Sequence, residues 1–390
     1  MKKFMIIGIP ALMASIAHAQ SSVTLYGTID AGLAYVNNAG GKSLWAQDSG
    51  ALSDTYFGLR GTEDLGNGLR AIFKLESGFN IGNGQFGKFD ANLGAPGSGL
   101  FTRQAYVGLQ DDRIGTLTLG RQFDSGVDYL GPLGLAGQAG GVNLAAHPGD
   151  VDNLGNPASS SNVVKYESPD ISGFHVGGEY GFSNVPGGFN QGRLFGVGAA
   201  YANGPIKIAA AYVQRDQSGS GANLGVTSVL APQALGTATR QRIYGVGGNY
   251  AFGPGTVGIL WTHAQQQGIA AIAGDQARFD NIEINGTYGV TASLTAIGSY
   301  TYTTGRESYA GVSATPKWHS GVLGLDYSLS KRSDVYVAGV YQYAQGRAIT
   351  VDTSTEAVSV GPNATSMAGM IPPSTTKDQV AVAVGVRHRF

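Results

Sequence analysis

Gln379-Val380-Ala381-Val382-Ala383-Val384-Gly385-Val386-Arg387-His388-Arg389-Phe390 closes the chain, and its alternation decides the fold. Val380, Val382, Val384 and Val386 share one face with His388 and Phe390, while Gln379, three small residues, Arg387 and Arg389 share the other. Strict period-2 alternation marks a β-strand whose two faces meet different surroundings. A terminal strand with a wholly apolar face needs a cover, either a second sheet or lipid. The first strand repeats the pattern. Val23, Leu25, Ile29, Ala31, Leu33 and Tyr35 alternate with Ser22, Thr24, Tyr26, Thr28 and Asp30.

Composition narrows the class. The chain of 390 residues holds 62 glycines and 19 tyrosines but only 13% charged residues, with a mean hydropathy of -0.03. No apolar run of about 18 residues follows the first twenty, which excludes helical membrane spans. Glycine is costly in most β-structure and tyrosine favours membrane interfaces, so this pairing fits a lipid-facing antiparallel sheet better than a soluble sandwich. Lys2 and Lys3, the apolar stretch 4–14 and Ala17-His18-Ala19 read as a signal peptide over 1–19, leaving one domain at 20–390. With 25 basic against 26 acidic residues, the chain lacks the basic footprint that nucleic acid demands. Cysteine is absent, so disulfides contribute nothing.

Short turn signals at 64–68, 111–115, 168–173, 203–205, 252–255, 290–293 and 330–334 alternate with longer polar connections. The long connections fall at 37–52, 81–99, 123–160, 183–191, 217–238, 265–277, 305–315 and 347–377. Seven turns and eight loops join sixteen strands, each of roughly the ten residues that a tilted membrane-crossing strand requires. The predicted fold is therefore all-β, a 16-stranded antiparallel transmembrane β-barrel with long extracellular loops and short periplasmic turns. At about that size side chains no longer fill the interior, and an aqueous channel remains.

Several segments stand out: Ser22-Val23-Thr24-Leu25-Tyr26-Gly27-Thr28-Ile29-Asp30, Phe57-Gly58-Leu59-Arg60-Gly61-Thr62-Glu63-Asp64-Leu65-Gly66 and Arg103-Gln104-Ala105-Tyr106-Val107-Gly108-Leu109, with Leu119-Gly120-Arg121-Gln122, Val164-Lys165-Tyr166-Glu167-Ser168-Pro169 and the terminal Gly385-Val386-Arg387-His388-Arg389-Phe390. Through them the chain resembles the general diffusion porins of betaproteobacterial and neisserial outer membranes. The resemblance implies a homotrimer set among outer-membrane lipids, with a third loop folded into the lumen. It also implies that Phe390 is an assembly signal read by the barrel-assembly machinery, and that ions and small hydrophilic solutes diffuse through passively, with no catalysis. A substrate-selective or enzymatic barrel is the alternative.

The third connection, 123–160, is then the constriction loop, with Asp124, Asp128, Asp150 and Asp152 as its acids. Opposed to wall cations, these would set up a transverse field that sorts solutes by charge. Alternation puts Arg70, Lys74 and Glu76 on one face, opposite Ala71, Phe73 and Leu75; a charge facing lipid at mid-depth would cost roughly 2–4 kcal/mol, so these point inward. Lys165 and Glu167 likewise share a face. Arg121 joins the candidate wall cations. Arg103 shares parity with Ala105, Val107 and Leu109, so an inward arginine there requires a bulge or reversed parity. Tyr56 stands where such proteins commonly carry arginine, which weakens any expectation of strong anion preference.

Gly82-Asn83-Gly84-Gln85-Phe86-Gly87 has dinucleotide-fingerprint spacing but no following helix pattern, so no cofactor is expected. The dispersed histidines have no metal-ligand spacing, and no Gly-x-Ser-x-Gly nucleophile turn occurs.

Overall fold

The computed structural model describes residues 22–87, 99–138, 142–156, 158–216, 238–269, 274–351, 358–361, 363–369 and 371–390. The expected signal peptide and most of the 217–238 connection lie outside the described residues. Twenty strands follow in order: β1 (Ser22–Ala39), β2 (Lys42–Ser49), β3 (Tyr56–Gly66), β4 (Leu69–Gly78), β5 (Gln104–Asp111), β6 (Gly115–Gln122) and β7 (Ser160–Glu167). Then come β8 (Phe174–Gly181), β9 (Leu194–Asn203), β10 (Ile206–Asp216), β11 (Arg240–Phe252), β12 (Gly255–Gln267), β13 (Gln276–Gly289) and β14 (Leu294–Tyr309). The last are β15 (Val312–Ala314), β16 (Lys317–Ser328), β17 (Ser333–Gln345), β18 (Ile349–Val351), β19 (Val358–Val360) and β20 (Asp378–Arg389).

Eighteen of these form one antiparallel sheet that closes on itself, while β18 and β19 make a separate hairpin. β1 pairs with β20 from Thr28↔Arg389 to Val36↔Ala381. On its other side it pairs with β3 from Ser22↔Thr62 to Thr28↔Tyr56, and higher up with β2 from Ala31↔Ser49 to Ala39↔Lys42. β2 and β3 are thus one barrel stave interrupted at 50–55. β15 and β16 divide another, since both pair with β14. Two divided staves reduce eighteen strands to a closed barrel of sixteen.

Two expected long loops, 37–52 and 305–315, are largely hairpin extensions of the wall. Gly40 and Gly41 (φ 62° and 94°) and Ala310 and Gly311 (φ 49° and 79°) supply the consecutive left-handed pairs that match hairpin twist. Their few apolar residues, such as Leu44, Trp45 and Val312, do not alternate with polar ones over a strand's length, so no apolar periodicity betrays them in the sequence. The interruption at 50–55 is held by Asp30, whose Oδ2 accepts from the Leu52 and Ser53 amides at 3.1 and 2.8 Å.

The alternation at both chain ends gives the faces directly. Val23, Leu25 and Leu33 are 65%, 58% and 61% exposed on the outside, whereas Asp30 is fully buried toward the lumen. In β20, Val382, Val384 and Val386 face outward, while Gln379, Ala381, Ala383 and Arg387 are buried inside. No described helix is long and apolar enough to cross a membrane; the crossing is made by strands.

The seam closes tightly at the lower end. Gly27 and Phe390 exchange backbone hydrogen bonds of 3.1 Å in each direction. A β-carbon on Gly27 would lie 2.5 Å from the Tyr56 carbonyl oxygen and 2.7 Å from the Phe390 ring. Gly27→Val is therefore expected to cost about 1–3 kcal/mol through overpacking. The midpoint of thermal unfolding in detergent should fall accordingly, and an unchanged midpoint would show that the seam tolerates a side chain.

Candidate pore constriction

The chain leaves the wall at Gln122 and turns into the barrel because Asp124 caps the turn from within. Its Oδ1 accepts from the Val127 amide at 3.0 Å, and its Oδ2 takes the Asn153 amide at 2.7 Å and an ion pair with Arg215 of β10. A single π-helical turn, Gly126–Leu130, follows, then short 3-10 turns at Gly131–Leu133 and Leu135–Gly137. Glycines on the wall make room. A β-carbon on Gly198 would lie 2.2 Å from the Tyr129 ring, so β9 can receive that ring only at a residue without a side chain.

Deeper in the lumen the loop is latched to β12 and β13. His147, buried, meets Asp152 Oδ2 from Nδ1 at 2.6 Å and Glu283 Oε2 from Nε2 at 3.0 Å. Thr262 also donates to Asp152. Glu283 Oε1 accepts from the Leu135 amide at 2.7 Å and from Asn285 at 2.6 Å. Burial opposes charging of His147, but Asp152 and Glu283 outweigh it and raise its pKa well above the ordinary value. For Asp152, burial is likewise outweighed by His147, and its pKa is lowered. An imidazolium clamped between two carboxylates is the species this geometry holds. Beyond the latch, Leu135, Ala136, Leu144, Ala145 and Ala146 pack with Ile297, Val322, Ala338 and Val340 of the far wall, forming an apolar core inside the barrel. Asp150, also buried, accepts from the Gly155 amide at 2.9 Å, so it shapes the loop.

On the near side, Lys165 donates to Asp128 Oδ2 and the Phe123 carbonyl at 2.5 Å each, with Glu179 Oε2 at 3.7 Å. Glu167 accepts from the Tyr129 hydroxyl at 2.5 Å and lies 3.1 Å from His175 Nε2. Arg103 donates to Glu76 Oε1 at 2.6 Å, pairs with Asp54, and lies over the Tyr56 ring at 4.7 Å. Lys74 Nζ is 3.3 Å from Glu76. Between these groups and the loop runs a cavity of about 600 Å³, lined by Lys74, Tyr106, Asp128, Tyr129, Glu167 and Lys207. A second space of about 310 Å³, lined by Arg60, Lys74 and Tyr106, continues it along the same wall.

Two candidate cations lie elsewhere. Arg70 sits opposite Asp64 beside a short turn and pairs with Asp112, at the barrel end far from the loop. Alternation assigns a face but not a depth. Arg121 follows Leu117 and Leu119 onto the outer face, where it donates to the Thr102 carbonyl and Ser161 hydroxyl at 2.7 and 2.6 Å. It is absent from the cavity lining. Arg103 reaches inward without a bulge or reversed parity, because β5 begins at Gln104 and Arg103 occupies the bend before it. The sequence reading missed Asp54, Glu179, His147, Arg215 and Glu283. For Glu179, Arg215 and Glu283 inward parity was the available signal.

A family profile described as Gram-negative porin matches residues 8–347. The chain belongs to the Gram-negative porin family. This porin is 31% identical to an outer membrane porin protein of Bordetella pertussis, over 89% of this chain and 95% of that one. It is 33% identical to outer membrane porin protein 32 of Delftia acidovorans, over 55% of this chain and 60% of that one. The solved anion-selective porin from Comamonas acidovorans superposes with a TM-score of 0.70 at 26% identity, covering 95% of this chain and all of the other. OmpF of Salmonella typhi shares the fold, with a TM-score of 0.58 at 17% identity over 94% and 97% of the two chains. The porin is thus a multi-pass outer-membrane β-barrel whose interior is a diffusion channel.

Proposed function

We propose that this porin passes ions and small hydrophilic solutes with only a shallow charge preference, through the passage between the 123–156 loop and the wall of β3–β10. The carrying observation is that three of the wall cations meeting the loop face carboxylates: Arg103 with Asp54 and Glu76, Lys165 with Asp128 and Glu179, Arg215 with Asp124. Paired charges give a small net field across the passage, so solutes are oriented more than sorted. In this reading the porin differs from the anion-selective Comamonas acidovorans protein.

A reversal potential close to zero in a potassium chloride gradient is the expected result, and a strongly anionic one would overturn the reading. Lys74, partly exposed and lining both spaces, should contribute measurably. Lys74→Gln is expected to move the reversal potential toward cations, while Arg70→Gln leaves it unchanged because its charge sits at the far rim beside Asp112. Equal shifts from both substitutions would remove Lys74 from the passage.

The proposal extends to a homotrimer, supported by a wall whose outward side chains at Val107, Leu109, Leu117 and Leu119 are exposed and apolar. Bilayer insertions should then close in three equal steps. A leader at 1–19 and an assembly role for Phe390 belong to the same reading, the latter supported by the place of Phe390 at the closing seam.

A further inference from the structure

We infer that the passage binds planar aromatic carboxylates between Lys207 and His175, on the wall formed by β8–β10. This rests on the route proposed above and names one class of solute for it. The charges lining the cavity of about 600 Å³ are not equally occupied. Among the described residues that line it, Asp128 is held by Lys165, and Glu167 by the Tyr129 hydroxyl and His175. Lys165 meets Asp128 and Glu179, and Lys74 lies 3.3 Å from Glu76. Lys207 differs. It is exposed to the cavity and, among the described residues, meets no carboxylate. An ammonium whose donors are all free is a station for an oxyanion.

What surrounds Lys207 is apolar. Register places Ala202 of β9 beside it, and Ala200 of β9 between His175 of β8 and Ala209 of β10. The wall between imidazole and lysine therefore carries only methyl groups. Over it the loop presents Pro132 and Leu133. Leu133 and Ala209 belong to one apolar cluster, against which Ala200 packs. The Leu133 carbonyl accepts from the Asn285 amide at 2.9 Å, so this edge of the loop is fixed before a solute arrives. Pro132 and Ala202 stay exposed, and apolar surface opens onto water there.

At the other end His175 stacks on Tyr129, with ring centroids 5.4 Å apart and planes 16° apart, and its side chain is 39% exposed. The pair offers a flat π-surface on which a further ring can stack offset. His175 and Lys207 are two strands and two residues apart in register, about 12 Å at the backbone. Their side chains close most of that distance, leaving the length of one ring that carries its carboxylate directly. An aliphatic acid would reach the lysine but show the imidazole no face. A sugar would set hydroxyls against methyl groups that cannot hydrogen-bond them.

The test measures binding to the folded porin in neutral detergent by saturation-transfer NMR. Three probes are compared: benzoate, cyclohexanecarboxylate with the same charge on a puckered ring, and benzamide with the same ring and no charge. Benzoate should bind at least about tenfold more tightly than either. Lys207→Gln should bring benzoate down to the level of benzamide, and His175→Ala to that of cyclohexanecarboxylate. His175→Phe, which keeps a ring face, should retain the preference. In bilayers benzoate should interrupt the potassium chloride current for longer than cyclohexanecarboxylate does, and Lys207→Gln should remove the difference. Benzoate binding indifferent to Lys207→Gln in a conducting variant would overturn the inference, and equal binding of benzoate and cyclohexanecarboxylate by wild type would overturn its aromatic part. The reversal potential separates this from the route's charge preference. A strongly anionic value overturns the shallow preference while a benzoate preference stands, and a value near zero with no benzoate preference overturns the aromatic carboxylate site alone.

Discussion

Glu283→Ala is expected to widen the channel, giving a larger and noisier single-channel conductance. Glu283 accepts from His147, the Leu135 amide and Asn285, all buried against the loop. Its removal leaves a charged imidazole with one partner and a backbone donor with none. Breaking a buried pair in this way costs about 3–5 kcal/mol, which falls on the loop, because the wall is held independently by its ladder of backbone hydrogen bonds. The barrel should therefore keep its thermal midpoint while the loop detaches. Conductance equal to wild type in a folded variant would show that the latch does not hold the constriction.

The same latch gives wild type a pH dependence of defined sign. His147 has a raised folded pKa, so its contribution is complete below the unfolded value of about 6.5 and fades as pH climbs through the folded one. Asp152 has a lowered pKa, so its contribution is present above about 3.9 and fades as pH falls through the folded value. The loop should stay closed across neutrality and loosen on the alkaline side. Glu283→Ala should lack that alkaline rise in conductance.

Arg103→Gln is expected to produce the largest swing in selectivity. Arg103 is buried between Asp54 and Glu76, and the substitution leaves both carboxylates beside the passage with only Lys74 near them. The reversal potential should move strongly toward cations, well beyond the effect of Lys74→Gln. Stability should fall by about 3–5 kcal/mol as two buried charges lose their partner. Arg103→Lys should recover part of the selectivity but less of the stability, since an ammonium cannot bridge both carboxylates as the forked guanidinium does. A reversal potential unmoved by Arg103→Gln would place the selectivity elsewhere.

How much of this was legible in the sequence depended on which physical signal each residue carried. Lipid imposes apolar character on one face only, so the odd and even positions of β1 and β20 declared their surroundings without further help. Six of the seven short turns were marked by Gly, Pro, Asn or Asp, the exception being Val290-Thr291-Ala292-Ser293, and every one joins the expected strands. Above the lipid that constraint lapses, and the hairpin extensions at 37–52 and 305–315 passed for loops. The site was less legible. Arg70 had the right parity at the wrong height, and Arg103 escaped parity by standing outside its strand. The latch joins His147 to Glu283 across 136 residues, and the loop's entry joins Asp124 to Arg215 across 91. Pairings so distant leave no local pattern. They exist only once closure has brought the walls opposite each other.

The inward loop also has a mechanical consequence. An empty cylinder in a laterally compressed membrane yields most easily by flattening, since bending a sheet costs far less than stretching its hydrogen bonds. Here Asp124 and Arg215 fasten the loop near one wall, His147, Asp152 and Glu283 fasten it to another, and Leu144 to Ala146 press against Ala338 and Val340 of a third. The loop is a strut with three footings. A segment that narrows the route for solutes thereby resists ovalisation, and freeing it should make the tube more compliant as well as wider.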